Sequence, residues 1–111
     1  MSRAMKTRIV IAALAVAFSA PVLAASGDPD VGRKKSEPCK ACHGDAGISA
    51  TPDFPNLAGQ HADYLTAAIT HYKNGKRKNA IMQGQVANLT PRDIADLTAY
   101  YSRLPGLKTQ Y

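Results

Sequence analysis

The chain has 111 residues, 45% of them hydrophobic, with a formal net charge of +6, two cysteines and no tryptophan. That length accommodates one small domain with little apolar core of its own. Two cysteines are too few for a disulfide framework, and a zinc site would need further sulfur or histidine ligands near them.

Residues 1–8, Met1 to Arg8, are basic, and an apolar run from Ile9 to Ala20 precedes Pro21-Val22-Leu23-Ala24-Ala25. A positive start, a short apolar stretch and small residues at Val22 and Ala24 predict a secretory leader over 1–24, cleaved after Ala24 or one residue later. The alternative is a membrane anchor, but about a dozen apolar residues fall short of the ~20 that span a bilayer. Arg3, Lys6 and Arg8 leave with the leader. Eleven basic side chains then face eight acidic ones and the charge falls to +3, which weakens a nucleic-acid reading. Residues 25–111 form the remaining domain, with Met82 its one methionine and Phe54 its one phenylalanine. So small a domain needs something bulky to staple it.

A first helix is expected from about Asp30, capped by Asp28 or Asp30 with Pro29 at its start, and with Pro38 ending its regular part. Cys39-Lys40-Ala41-Cys42-His43 follows. Two thiols bracketing two residues, with a histidine directly after, match the attachment pattern of c-type haem: two thioethers and an axial imidazole on the iron. A bare dithiol or disulfide is the alternative; a thioredoxin-like pair would need a strand before the motif and a βαβ context after it.

From Gly44 to Gly59 the chain is rich in Gly, Pro, Asp, Ser and Asn and is expected to be an irregular loop. Pro55 lies twelve residues past His43. A metal-bound imidazole needs an acceptor for its second ring N–H, and the Pro55 carbonyl is a candidate; an ordinary turn proline is the other reading. Gln60 to Asn74 is helical in pattern, with Tyr64, Leu65, Ala68, Ile69 and Tyr72 on one face and Gly75 as its stop. His61 and His71 lie on this helix as surface positions, without the flanking chemistry of a ligand.

Lys73, Lys76, Arg77 and Lys78 cluster around Gly75. They are a solvated helix end, or a docking rim for an acidic redox partner to which Lys40 would add. Asn79 to Gln85 is expected to be a loop carrying Met82, whose thioether is either the second axial ligand of the iron or a filler of a core gap. The last helix is the clearest: Thr90 caps it, Pro91 starts it, Asp93 completes a capping-box-like pattern and Pro105-Gly106 stops it. Ile94, Leu97, Tyr101 and Leu104 share its core face, with Tyr100 beside them. No nucleotide-binding glycine loop and no catalytic set of acids or Ser/His/Asp stands out.

Carried by Cys39-Lys40-Ala41-Cys42-His43, Pro55-Asn56-Leu57-Ala58-Gly59-Gln60-His61, Gly75-Lys76-Arg77-Lys78 leading to Met82, and Asp93-Ile94-Ala95-Asp96-Leu97-Thr98-Ala99-Tyr100-Tyr101, the domain resembles a class I c-type cytochrome. It is most similar to small bacterial monohaem proteins and to one half of dihaem bacterial cytochromes c. The resemblance implies an all-α cytochrome c fold, three to four helices and loops wrapped around one covalent haem c. It implies thioethers at Cys39 and Cys42, axial ligands His43 and Met82, Pro55 and Leu57 in the haem pocket, and a crossing of the first and last helices at which Gly32 meets Leu97 and Tyr100. One departure is Ser36, where relatives often carry an apolar or aromatic residue.

Iron held by an imidazole and a thioether has no vacancy for oxygen or substrate, so the expected function is one-electron transfer by a monomeric periplasmic protein, not an enzyme. It would meet redox partner proteins briefly, with neither nucleic acid nor stable membrane insertion after cleavage. Two alternatives remain: a haem subunit of a larger dehydrogenase or oxidase complex, and a gas-binding or sensor haem if Met82 does not ligate.

Overall fold

The computed structural model describes residues 9–18 and 27–107. The leader expected over 1–24 lies outside the described residues except for 9–18, which carry no regular structure. Among the described residues there are five helices and no strand: α1 (Pro29–Lys35), α2 (Glu37–His43), α3 (Ala62–Asn74), α4 (Ala80–Val86) and α5 (Pro91–Arg103). No helix of the described residues is long and apolar enough to cross a membrane.

The expected first helix is two. Asp28 caps α1 by accepting from the N–H groups of Asp30 (2.9 Å) and Val31 (3.3 Å), with Pro29 in the first turn. Pro38 interrupts this helix, as expected, but the break lies two residues before it. Its ring would clash with the carbonyl four residues earlier in a continuous helix, so the chain breaks at Ser36 and restarts with Pro38 in the first turn of α2, where a missing N–H costs nothing. Fully buried Ser36 is the joint: its hydroxyl donates to the Arg33 carbonyl (2.6 Å), its N–H to the Gly32 carbonyl (2.9 Å), and its carbonyl accepts from Cys39 N–H (2.8 Å).

α1 lies across α5 with almost no side chain between them. A Cβ at Gly32 would stand 1.9 Å from the Asp96 carbonyl oxygen and 2.9 Å from Tyr100 Cβ. Tyr100 is the partner the resemblance implied, while Asp96 takes the place expected of Leu97. Asp96 also bolts the crossing. Only 1% exposed, its carboxylate accepts from the backbone N–H of the cap residue Asp28 (2.8 Å) and from Lys35 Nζ (2.6 Å) and is ion-paired with Arg92 Nε (3.2 Å), and Lys35 reaches Asp93 as well (2.8 Å). The charge is thus buried with donors on several sides, which is what makes burial tolerable.

This cluster gives the fold an acid limit. The ion pair with Lys35, helped by the N–H and hydroxyl of Thr90, holds the Asp93 carboxyl down to about 2, and Lys35 followed by the Asp28 N–H lowers Asp96. Unfolded, both titrate near about 3.9. Their folded pKa values are depressed, so their stabilisation is full above the unfolded value and drains away as pH falls from ~4 towards 2. Urea midpoints should therefore decline below pH ~4, and Lys35→Met, which removes the cation from both acids, should flatten that decline. An unaltered acid slope in Lys35→Met would show that these acids do not set it.

Gly44 (φ +86) ends α2, and the loop that follows is irregular, as expected. It is nevertheless pinned: the Gly47 carbonyl accepts from Leu57 N–H (2.8 Å) and Ala58 N–H (3.0 Å), and Gly59 N–H donates to the Tyr101 carbonyl of α5 (3.0 Å). α3 begins two residues later than its pattern suggested and stops at Gly75 in the left-handed conformation (φ +80). Of its apolar face, Leu65 is buried, Ala68, Ile69 and Tyr72 are half-buried and Tyr64 is 52% exposed; His61 and His71 are exposed.

The stretch expected as a loop around Met82 is a helix, α4. Asn79 caps it, its side chain accepting from Met82 N–H (3.0 Å), and buried Val86 fastens its far end. Seven residues with a glycine and two glutamines make too few turns for periodicity to show; a cap and packing on α3 supply what pattern does not. α5 carries the full capping box, Asp93 N–H to Thr90 Oγ1 (3.1 Å) and Thr90 N–H to Asp93 Oδ2 (2.9 Å). It buries Ile94, Leu97 and Tyr101.

Candidate functional site

α2 presents Cys39, Cys42 and His43 at spacings of three and four, hence on one side of the helix. Cys39 and Cys42 are half-buried free thiols, not a disulfide. Cys39 packs, with Leu57, Leu89, Tyr100 and Leu104, against the buried cluster of Leu65, Leu97 and Tyr101. Burial pushes the Cys39 thiol up, against a smaller downward pull from the Tyr101 hydroxyl. A thiol so placed is not the activated thiolate of a disulfide oxidoreductase.

His43 is 7% exposed, and its Nδ1 lies 2.8 Å from the Pro55 carbonyl oxygen. A carbonyl can only accept, so Nδ1 is the donor of this bond and Nε2 is the ring nitrogen left free to face a metal. The pinned loop thus fixes the ring. Asn56 steadies the turn, its side-chain oxygen accepting from Ser49 N–H (2.6 Å). Pro55 is exposed at the surface end of this contact and Leu57 is half-buried.

Met82 lies half-buried in the first turn of α4 and is not a member of the Cys39 cluster. A recess of about 340 Å³ opens beside Cys42, bordered by Ile48 and Phe54. The larger groove, about 680 Å³ between α3 and α5, touches none of Cys39, Cys42, His43 or Met82. Of the basic cluster, Arg77 stacks over the Tyr72 ring (4.8 Å) and reaches the Tyr64 hydroxyl (3.4 Å), and Lys73 bonds the Leu89 carbonyl. Lys76 and Lys78 are exposed. Lys40 is paired with Glu37, so it adds little net charge to this rim.

Sequence reasoning missed three participants: Asp96, the fully buried Ser36 joint, and the Tyr101 hydroxyl, which is buried without a hydrogen-bond partner among the described residues.

Comparison with known proteins defines the class. The cytochrome c family matches residues 32–104, which takes in all five helices but the first turn of α1, and the chain belongs to that family. It is 44% identical over 80 residues to cytochrome c-554(548) of Halomonas halodenitrificans, covering 69% of this chain and 96% of that protein. It is 44% identical over 78 residues to cytochrome c4 of Pseudomonas aeruginosa, covering 70% of this chain and 39% of that one. A thiosulfate dehydrogenase electron acceptor of Thiomonas intermedia is 31% identical, covering 90% of this chain and 45% of the other. The structure superposes on crystalline reduced cytochrome c4 from Pseudomonas stutzeri with a TM-score of 0.70 at 36% identity, over 74% of this chain and 48% of that one. The chain therefore spans less than half the length of the cytochrome c4 relatives it matches and nearly all of cytochrome c-554(548).

The all-α cytochrome c fold and the class I resemblance hold, and a cytochrome c domain of this size carries one covalent haem c with its iron. The residues present fit that group: two thiols on the same side of a helix as a histidine whose ring is oriented by a carbonyl, against an apolar wall.

Proposed function

We propose that this chain is a periplasmic one-electron carrier. Cys39 and Cys42 would hold the haem as thioethers, His43 Nε2 and Met82 Sδ would ligate the iron, and Pro55 and Leu57 would stand in the pocket wall. Haem c, when bound, supplies the one-electron ferric/ferrous couple. The observation that carries the reading is the 2.8 Å contact between His43 Nδ1 and the Pro55 carbonyl, because it orients the ring with Nε2 as the nitrogen available to a metal. Met82 would then close the other side, leaving no site for substrate, and the protein would not be an enzyme. The leader expected over residues 1–24 would direct export.

Its partners would be redox proteins with acidic surfaces, met at the rim formed by Lys73, Lys76, Arg77 and Lys78. Likeness to a thiosulfate dehydrogenase electron acceptor supports a place downstream of an oxidising enzyme. A potentiometric titration of the purified haem protein should follow a one-electron curve, and the reduced protein should not bind carbon monoxide within minutes at neutral pH. Rapid carbon monoxide binding would contradict the closed iron and favour the gas-binding alternative.

A second reading, a haem subunit of a larger dehydrogenase or oxidase, is favoured by the chain's matching less than half of several relatives. Gel filtration of native extract separates the two: a clean monomer supports the free carrier, and a stable high-mass complex the subunit.

A further inference from the structure

We propose that the Tyr101 hydroxyl donates a hydrogen bond to the Cys39 sulfur once that sulfur is a haem thioether, making Tyr101 a positioning residue that raises the reduction potential. The inference rests on haem attachment at Cys39. Tyr101 is 4% exposed, and its hydroxyl is a buried polar atom without a partner in the described residues. Native interiors leave few such groups unpaired, and those that remain call for a reason.

The ring cannot turn to water. Tyr100 packs on it with centroids 5.0 Å apart, a Cβ at Gly47 would stand 3.2 Å from its Cδ1, and its carbonyl is tied to Gly59 N–H. Ser36 and Cys39 are the two side chains with lone pairs that bear on the hydroxyl. Ser36 Oγ is fully buried and spends its own proton on the Arg33 carbonyl, and Cys39 packs against the cluster that Tyr101 forms with Leu65 and Leu97. The phenol is pushed up chiefly by burial and next by Cys39.

Attachment changes what the sulfur can do. The S–H bond and the vinyl π bond break, a C–S bond forms at the vinyl carbon nearest the porphyrin, and the hydrogen ends on the terminal carbon. The sulfur is then only an acceptor, so the tyrosine O–H must be the donor. A donor on a sulfur joined to the porphyrin edge draws electron density from the ring and favours ferrous iron, as hydrogen bonds to cofactor sulfurs do elsewhere.

Tyr101→Phe should move the reduction equilibrium about two- to fivefold towards ferric iron, the effect of one weak hydrogen bond, while keeping its haem by intact mass. The shift should persist in a Ser36→Ala background and vanish in a Cys39→Ala background, where Cys42 alone holds the group. A shift that survives Cys39→Ala, or is lost with Ser36→Ala, assigns the bond elsewhere and overturns the inference. If Cys39→Ala fails to load, resonance Raman of the intact thioether decides: its C–S band should move in Tyr101→Phe and stay in place in Ser36→Ala, and an unmoved band in Tyr101→Phe overturns the inference. A loaded Tyr101→Phe protein with unchanged potential fails this inference alone, whereas an unaltered protein without covalent haem fails the carrier reading itself.

Discussion

Alanine at Gly32 should cost the folded protein about 3 kcal/mol or more, read as a fall in the urea midpoint. The added methyl would sit 1.9 Å from the Asp96 carbonyl oxygen and 2.9 Å from Tyr100 Cβ, and neither is the free end of a flexible side chain. α1 has little else to hold it. Val31, its one large apolar residue, is 36% exposed, and the rest of its length is short and charged. Forcing the helices apart also pulls Asp28 N–H and Lys35 Nζ away from Asp96, which would leave a carboxylate buried with fewer donors. α2, with both thiols and His43, hangs from α1 through Ser36, so the damage should reach haem loading. The contrast is Gly84 in α4, where a Cβ meets nothing within 4 Å. Alanine there should be neutral or add up to about 1 kcal/mol through helix propensity. Equal losses at both positions would mean that the α1–α5 crossing is not what Gly32 serves.

Whatever was legible in the sequence had a local cause. Thr90, Pro91 and Asp93 announce α5 because a capping box is made within four residues, and Gly75 announces the end of α3 because the left-handed stop needs no side chain. The Cys39–His43 motif is equally local. Pro55 could be nominated for His43 only because metal-bound imidazoles need a second-nitrogen partner; its 2.8 Å approach depends on Gly47 receiving two backbone N–H groups from residues ten and eleven positions away. What could not be read depends on tertiary contact. α4 exists through an asparagine cap and one buried valine. Asp96 looks like one more surface acid until the N-terminal cap of α1 is laid across it.

Replacing Met82 by alanine should open the iron without unfolding the chain. The α4 cap is made by the backbone N–H of Met82 to Asn79, and Val86 anchors the other end, so neither needs the thioether. The reduced variant should bind carbon monoxide within seconds. Its reduction equilibrium should shift at least about tenfold towards ferric iron, because the thioether favours the ferrous state; tenfold is about 59 mV for one electron. A large fall in the urea midpoint with an unchanged potential would instead make Met82 a packing residue.

The far-red absorption of the oxidised haem protein tests the closed iron most directly. A weak methionine-to-iron band with a low-spin spectrum is expected from the unaltered chain and should be lost in Met82→Ala. An unaltered protein without that band, or a band that survives in Met82→Ala, would contradict ligation by Met82.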